Sequence, residues 1–252
     1  MGDNSCYYLS VYYSKCDKTL VMLNVVCLKH GTKYSSDYVN KLYNMIQRHL
    51  TVPYKFTCFT ENRENLNDNI NVIDLPNIPL EGWWFKPYIF KRGHFPNGDT
   101  ILYFDLDMVV VSNIDHFVSY LPEQFVGLQD VGRVFRPGYQ KLGSAVMRWP
   151  ANKYFDIWEK LESNWNLARK YHGDQDWVWS VYGGEIKFFP EPWIRSYKWE
   201  VRSRDELAGL GRNSFFKAVR DPEIPNGCAV LAFHGNPPVH AVQDPVIVAN
   251  WR

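Results

Sequence analysis

The run Ile101-Leu102-Tyr103-Phe104-Asp105-Leu106-Asp107-Met108-Val109-Val110-Val111 sets two carboxylates, one residue apart, inside an apolar, β-branched and aromatic stretch. Such a run reads as a buried strand. Alternation along a strand sends side chains two apart to the same face, so Asp105 and Asp107 are expected to point together. Ionised carboxylates in a buried run are costly unless a cation meets them, and a divalent metal is the usual partner. The expectation is a strand that ends at a metal–diphosphate site.

The surrounding chain reads as α/β. A buried strand over 21–28 is followed by the loop Lys29-His30-Gly31-Thr32. Ser35 or Ser36 then caps a helix with Val39, Leu42, Tyr43, Ile46 and Leu50 on one face. Strands follow over 54–60 and 71–75, and strand–helix–strand order favours a parallel sheet with a right-handed crossover. Pro87 is tolerable only in a first helical turn, so a short helix starts near Phe85. After a strand over 100–106 come a short one over 109–111 and a helix from Asn113-Ile114-Asp115. Further strands are expected over 125–129, 144–149, 186–189 and 228–233. Residues 151–169 form a helix with Tyr154, Phe155, Trp158, Leu161 and Trp165 on one stripe, by default a core stripe. Gly173-Asp174-Gln175-Asp176-Trp177 opens another helix, and Asp174 is open to reading as nothing more than its cap. Residues 1–21 are an N-terminal extension with no clear period. Met22 stands before the first good strand, and 22–252 read as one domain.

Composition narrows the function. An apolar fraction of 46% and an aromatic fraction of 16% supply a substantial core and exclude a disordered chain. Lys and Arg total 28 against 27 Asp and Glu, which leaves no electrostatic footprint for nucleic acid. No apolar run reaches the roughly 20 residues of an integral membrane segment. Five cysteines without CxxC spacing point to reduced thiols and a cytoplasmic setting. Trp177, Trp193, Trp199 and Phe215 are candidates for a sugar platform and equally for core.

An Asp-x-Asp after an apolar strand serves two chemistries. In dehalogenase-type phosphatases the first Asp is a nucleophile beside Mg²⁺; in nucleotide-sugar transferases both acids serve the metal that clamps a diphosphate. The phosphatase motif belongs on a first strand, whereas about a hundred residues precede Asp105. His234, at the end of an apolar run and before Gly235, is the candidate third ligand. An imidazole beside two carboxylates suits Mn²⁺ better than Mg²⁺, which stays the alternative.

The stretch from Ile101 through Val111-Ser112-Asn113-Ile114-Asp115 resembles the metal-binding segment of glycogenin and its relatives in glycosyltransferase family 8. Gly173-Asp174-Gln175-Asp176 resembles the Asp-Gln-Asp segment of the bacterial lipooligosaccharide galactosyltransferases of that group. Phe233-His234-Gly235 resembles their C-terminal histidine motif. Lys86 stands where they carry a donor-site lysine, and Gly143-Ser144 fits their Asn-Ser-Gly-type segment loosely. The motifs fall in the family's order from about residue 23 onward.

The resemblance implies a single GT-A domain, a Rossmann-like, mixed and mostly parallel sheet flanked by helices. It implies a nucleoside-diphosphate-sugar donor, foremost a UDP-sugar, a glycan or other acceptor, and retention of anomeric configuration. Asp105, Asp107 and His234 would hold Mn²⁺, and Lys86 would add positive charge. Leu28, Lys29, Tyr34, Leu106, Gly143, Ser144 and Gly235 would line the nucleotide sugar. Asp174, Gln175 and Asp176 would be the catalytic, sugar-facing wall, as carboxylates are in glycosidases. One departure stands out: relatives carry a lysine shortly after the His-Gly, and this chain reads Asn236-Pro237-Pro238-Val239-His240. His240, Lys86 or Arg136 would have to compensate, or the chain would be slow or a binding-only relative.

Overall fold

The computed structural model describes residues 21–202 and 223–252. Among these, ten strands and five α-helices follow in chain order: β1 (Leu23–Lys29), α1 (Ser36–His49), β2 (Tyr54–Thr60), β3 (Asn71–Asp74), β4 (Thr100–Phe104), β5 (Met108–Val110), α2 (Asp115–Ser119), β6 (Val126–Gln129), β7 (Leu142–Pro150), α3 (Asp156–Ser163), α4 (Asp174–Tyr182), β8 (Lys187–Phe188), β9 (Ile194–Ser196), β10 (Val230–Ala232) and α5 (Pro245–Asn250). Seven strands form one sheet in the order β3-β2-β1-β4-β7-β6-β8. Its β3, β2, β1 and β4 run parallel, and β7 is antiparallel to both its neighbours. A second sheet, β5-β10-β9, stands beside it.

Period-two alternation explains why the large sheet is buried on both faces. From β1, Leu23, Val25 and Cys27 enter one core and Val26 the other; from β4, Leu102 and Phe104 divide likewise from Ile101 and Tyr103. The first core is closed by the Val39, Leu42 and Ile46 face of α1 and by the small sheet. The second is closed by a 3₁₀ helix, Gly82–Phe90, together with α3 and α4. Cys27, Cys58 and Cys228 are buried free thiols.

Three expectations change. The strand bearing the carboxylates stops at Phe104, and Asp105 to Asp107 form a turn. Asp105 N–H makes the last rung, to Ala145 O at 2.8 Å; Leu106 then turns into the core, and the chain resumes as β5 in the other sheet. The helix over 151–169 is really α3 followed by a 3₁₀ helix, Trp165–Lys170. Asn164, whose side chain accepts from Asn166 N–H, breaks the run. The segment around Phe85 is a 3₁₀ helix that carries Pro87 within it, a shape that asks for no i−4 bond. The extension over 1–20, and Phe215, lie outside the described residues.

Candidate functional site

Parallel strands β1 and β4 end on the same side of the sheet, and beyond their carboxyl ends lies a cavity of about 470 Å³. Open α/β sheets bind ligands at this edge. Leu28, Tyr34, Lys86, Asp105, Leu106, Asp107, Ser144, Asp174 and Gln175 all line it. A smaller cavity of about 230 Å³ adjoins it through Asp105, Asp107, Ser144 and Gln175, and Gly143, His234 and Gly235 close its far wall. Lys29 faces elsewhere, into a groove over the β1–α1 loop, and Asp176 lines neither cavity.

Lys86 ties the centre together. The 3₁₀ helix delivers its side chain, only 3% exposed, to Asp105 Oδ1 at 3.0 Å and Asp174 Oδ2 at 3.1 Å. The same ammonium donates to Ser144 Oγ at 2.9 Å, and that hydroxyl donates to Asp174 Oδ2 at 2.6 Å. Burial alone would push the Lys86 ammonium down, but Asp105 and Asp174 outweigh it and hold it above the ordinary lysine range. Asp174 is therefore not the cap of α4. Gly173 occupies the capping position, and Asp174 Oδ2 is spent on Lys86 and Ser144.

Among the described residues Asp107 has no such cation in contact. Burial first, and the Asp105 carboxylate second, push its carboxyl up to about 6. Tyr34 Oη donates to its Oδ2 at 2.7 Å and works the other way, as do Lys33 and Lys86 at longer range. Burial and Asp107 together raise the Tyr34 phenol, so it stays a donor at any ordinary pH. Tyr103 Oη likewise donates to Asp105 Oδ1, at 2.6 Å.

The small sheet brings the C-terminal motif to this pair. β10 runs antiparallel to β5, and the next rung, Phe233 N–H to Asp107 O at 3.1 Å, sets His234 beside the acid turn. His234 Nε2 lies 2.7 Å from Ser196 Oγ, and its ring meets Trp199 edge-on at 4.2 Å. Gly235 has φ +67°, which an L side chain rarely adopts. Where a Cβ at Gly235 would stand, Lys198 Nζ is 3.4 Å away, and that ammonium donates to Asn236 O at 3.4 Å. The cation beside this loop thus comes from a short π-helical turn, Tyr197–Val201, and not from the loop itself. His240 Nδ1 meets Tyr38 Oη, and the Arg136 guanidinium lies over the Tyr139 ring.

Whether a divalent metal suits these residues is a matter of donor chemistry. Two adjacent carboxylates, one of them titrating abnormally high under its own burial and its neighbour's charge, form a place that gains from a cation. Among the described residues no group of three His, Cys, Asp or Glu side chains stands ready-made as a metal cage. Asp105 and His234 are each engaged by protein partners.

Sequence reasoning missed several participants. Tyr103 sits two residues before Asp105, and period-two alternation applied to that pair would have found it. Trp83, 54% exposed, lines the main cavity with His30, Lys33 and His172; the Trp83-Trp84 doublet was its only mark. Asp130 follows β6 and reaches Gln175, while Lys198 carries no motif at all. Of the proposed aromatic platform, Trp177 is core, and its indole N–H donates to Ile157 O at 2.9 Å. Trp199 is buried against His234, and Trp193 packs on Phe117 and Phe189.

Neither a protein-family profile nor a curated protein sequence matches the chain. Solved structures do. An active-site mutant of LgtC superposes with a TM-score of 0.62 at 12% identity, covering 88% of this chain and 91% of that one. The galactosyltransferase LgtC in complex with donor and acceptor sugar analogues gives 0.60 at 12% identity, over 91% and 96%. The glycosyltransferase GlyE of Streptococcus pneumoniae TIGR4 gives 0.59 at 14% identity, over 88% of this chain and 56% of that one. The chain has the GT-A fold of these glycosyltransferases, in accord with the family 8 resemblance of its motifs. Among the described residues no helix is long and apolar enough to cross a membrane.

Proposed function

We propose that the chain is a metal-dependent glycosyltransferase that moves a sugar from a nucleoside-diphosphate sugar, foremost a UDP-sugar, to a glycan or other acceptor with retention of configuration. The observation that carries this reading is the meeting of Asp105, Asp107, Lys86, Asp174 and Gln175 at one cavity of a GT-A fold. That LgtC was solved with donor and acceptor sugar analogues supports the same two ligand classes here.

Asp105 and Asp107, with His234 from the facing wall, would hold Mn²⁺ or Mg²⁺. When bound, the ion supplies Lewis-acid charge to a diphosphate leaving group. The chain's own residues do the rest. Tyr34 keeps Asp107 ionised and aimed by donating to it, and its ring offers a face to a base. Lys86 holds both Asp105 and Asp174 through its one ammonium. Gln175, and the Asp174 oxygen that Lys86 and Ser144 do not hold, present oxygens to the sugar, where an oxocarbenium-like centre asks for negative charge. Lys198, beside Asn236, supplies positive charge at the loop that lacks its own lysine. A reducing, cytoplasmic setting suits Cys27, Cys58 and Cys228 as buried thiols.

The test is a panel of nucleotide sugars with and without Mn²⁺, scored by thermal shift and by release of nucleoside diphosphate. Stabilisation by UDP only when Mn²⁺ is present, with metal-dependent release of UDP, is expected. No response to any nucleoside diphosphate with metal would overturn the reading. A second reading, a relative that binds nucleotide sugar without turning it over, draws on the engagement of Asp105 by both Lys86 and Tyr103. Stabilisation without any release of diphosphate would select it.

A further inference from the structure

Gln175 touches both cavities, and its amide does not choose its own orientation. Nε2 donates to Asp130 Oδ2 at 3.0 Å. An amide has one donating and one accepting end, whereas a carboxylate only accepts, so Asp130 settles which end faces it. Asp130 is itself held fast. It follows β6 directly and caps a short 3₁₀ helix, Val131–Val134, where its Oδ1 accepts Gly132 N–H at 2.6 Å. A Cβ at Gly132 would stand 2.8 Å from that oxygen, so glycine is what lets the carboxylate lie there. Asp130 N–H donates to Lys141 O at 2.8 Å, which fastens the residue to the strand-end backbone. Each carboxylate oxygen thus has one partner: one anchors the group, and the other grips Gln175.

We infer that Asp130 is a positioning residue: by binding Nε2 it turns the Gln175 carbonyl oxygen toward the cavity, where the donor sugar needs an electron-rich atom and not an N–H. This rests on the transferase reading of the site. Asp130 differs in this from Asp174, whose Oδ2 is committed to Lys86 and Ser144.

Asp130→Asn is the diagnostic variant. It is isosteric and keeps an oxygen for Gly132 N–H, but it offers an amide N–H to Gln175 and so favours the flipped amide. Expected is a fall in kcat of about 10- to 100-fold, as for loss of one aligned dipole at a reacting centre. The donor KM should stay within about twofold and Tm unchanged, because only the transition-state contact is lost. Asp130→Asn combined with Gln175→Glu puts a donor opposite an acceptor again, and should exceed Gln175→Glu alone, in which two carboxylates face each other. Wild-type kcat in Asp130→Asn, or a double variant no better than Gln175→Glu, overturns the proposal.

A readout independent of turnover separates this inference from the functional reading. The Gln175 side-chain NH₂ pair, identified by its disappearance in Gln175→Glu, should exchange slowly with solvent in the unmodified protein and fast in Asp130→Ala. Equal exchange rates overturn the contact itself. If the unmodified protein shows no metal-dependent donor cleavage, the functional reading fails and takes the catalytic half of the proposal with it. The amide exchange still judges the grip of Asp130 on Gln175.

Discussion

The ammonium of Lys86 and the carboxylate of Asp174 lie 3.1 Å apart, both buried, and join a 3₁₀ helix before the acid turn to a helix well after it. Removing the cation leaves Asp174 buried without a cation and takes from the half-buried Asp105 its ion pair. Lys86→Met should lower unfolding free energy by about 3–5 kcal/mol, the usual cost of orphaning a buried ion pair. Adding Asp174→Asn should recover part of it. Urea unfolding of the single and double variants checks this, and a single variant as stable as the parent would show that the triad is not cohesive.

Asp107 should trade stability for function. Its carboxyl is pushed up to about 6, so the folded state holds that proton more tightly than the unfolded chain does. Its contribution is intact below about pH 4, the unfolded value, and is lost as pH climbs through 6. Asp107→Asn should therefore stabilise the metal-free protein at pH 7 by up to about 3 kcal/mol, and flatten stability between pH 4 and 6. The same variant should lose the thermal shift given by UDP with Mn²⁺. A Tm that falls at pH 7 contradicts the assignment.

Lys198 should matter although no motif marks it. Lys198→Met should weaken nucleoside-diphosphate binding about tenfold, and the binding that remains should depend less on salt, because one half-buried cation has gone. Titration at two ionic strengths, in the presence of Mn²⁺, reads both quantities. An unchanged affinity would return the burden to Lys33 or to the metal alone.

Trp83 offers the main cavity its exposed ring, and the indole Nε1 lies 3.4 Å from where a Cβ at Gly173 would stand. A pyranose face stacks on such a ring, and loss of one aromatic contact is worth about 0.5–1.5 kcal/mol, so Trp83→Ala should raise the acceptor KM about 2- to 10-fold. Donor cleavage in the absence of acceptor should be nearly unaffected. An equal loss in both assays would place Trp83 at the donor instead.

Much of this was legible in the chain. β2 falls over the expected 54–60, and the α1 face of Val39, Leu42, Tyr43, Ile46 and Leu50 is buried as its spacing requires. Both follow from periodicity, which local sequence carries. β9 was not foreseen: Ile194–Ser196 is three residues long and owes its existence to pairing with β10. The acid pair was read as a strand because apolar residues flank it, yet Leu106 packs inward from a turn, which hydrophobicity alone does not distinguish. Lys86, Asp105, Asp107, Asp174, Gln175 and His234 were nameable because each sits in a recognisable word. Asp130, Trp83 and Lys198 reach the site through neighbours distant in the chain (Gln175, Gly173 and Asn236), and nothing in their immediate sequence records those neighbours.

The rung from Phe233 N–H to Asp107 O continues the β5–β10 ladder, so backbone pairing alone sets the separation between the acid turn and His234. This gives the site an asymmetric tolerance to inheritance. Exchanges of side chain at 108–110 or 230–232 leave the spacing of Asp107 and His234 untouched, and lengthening the chain between β9 and β10 leaves it untouched as well. A single inserted or deleted codon within either rung-bearing segment shifts the register by one and turns His234 to the opposite face. Insertions in lineages of this protein should therefore cluster away from 107–111 and 229–234, even where residue identity drifts freely.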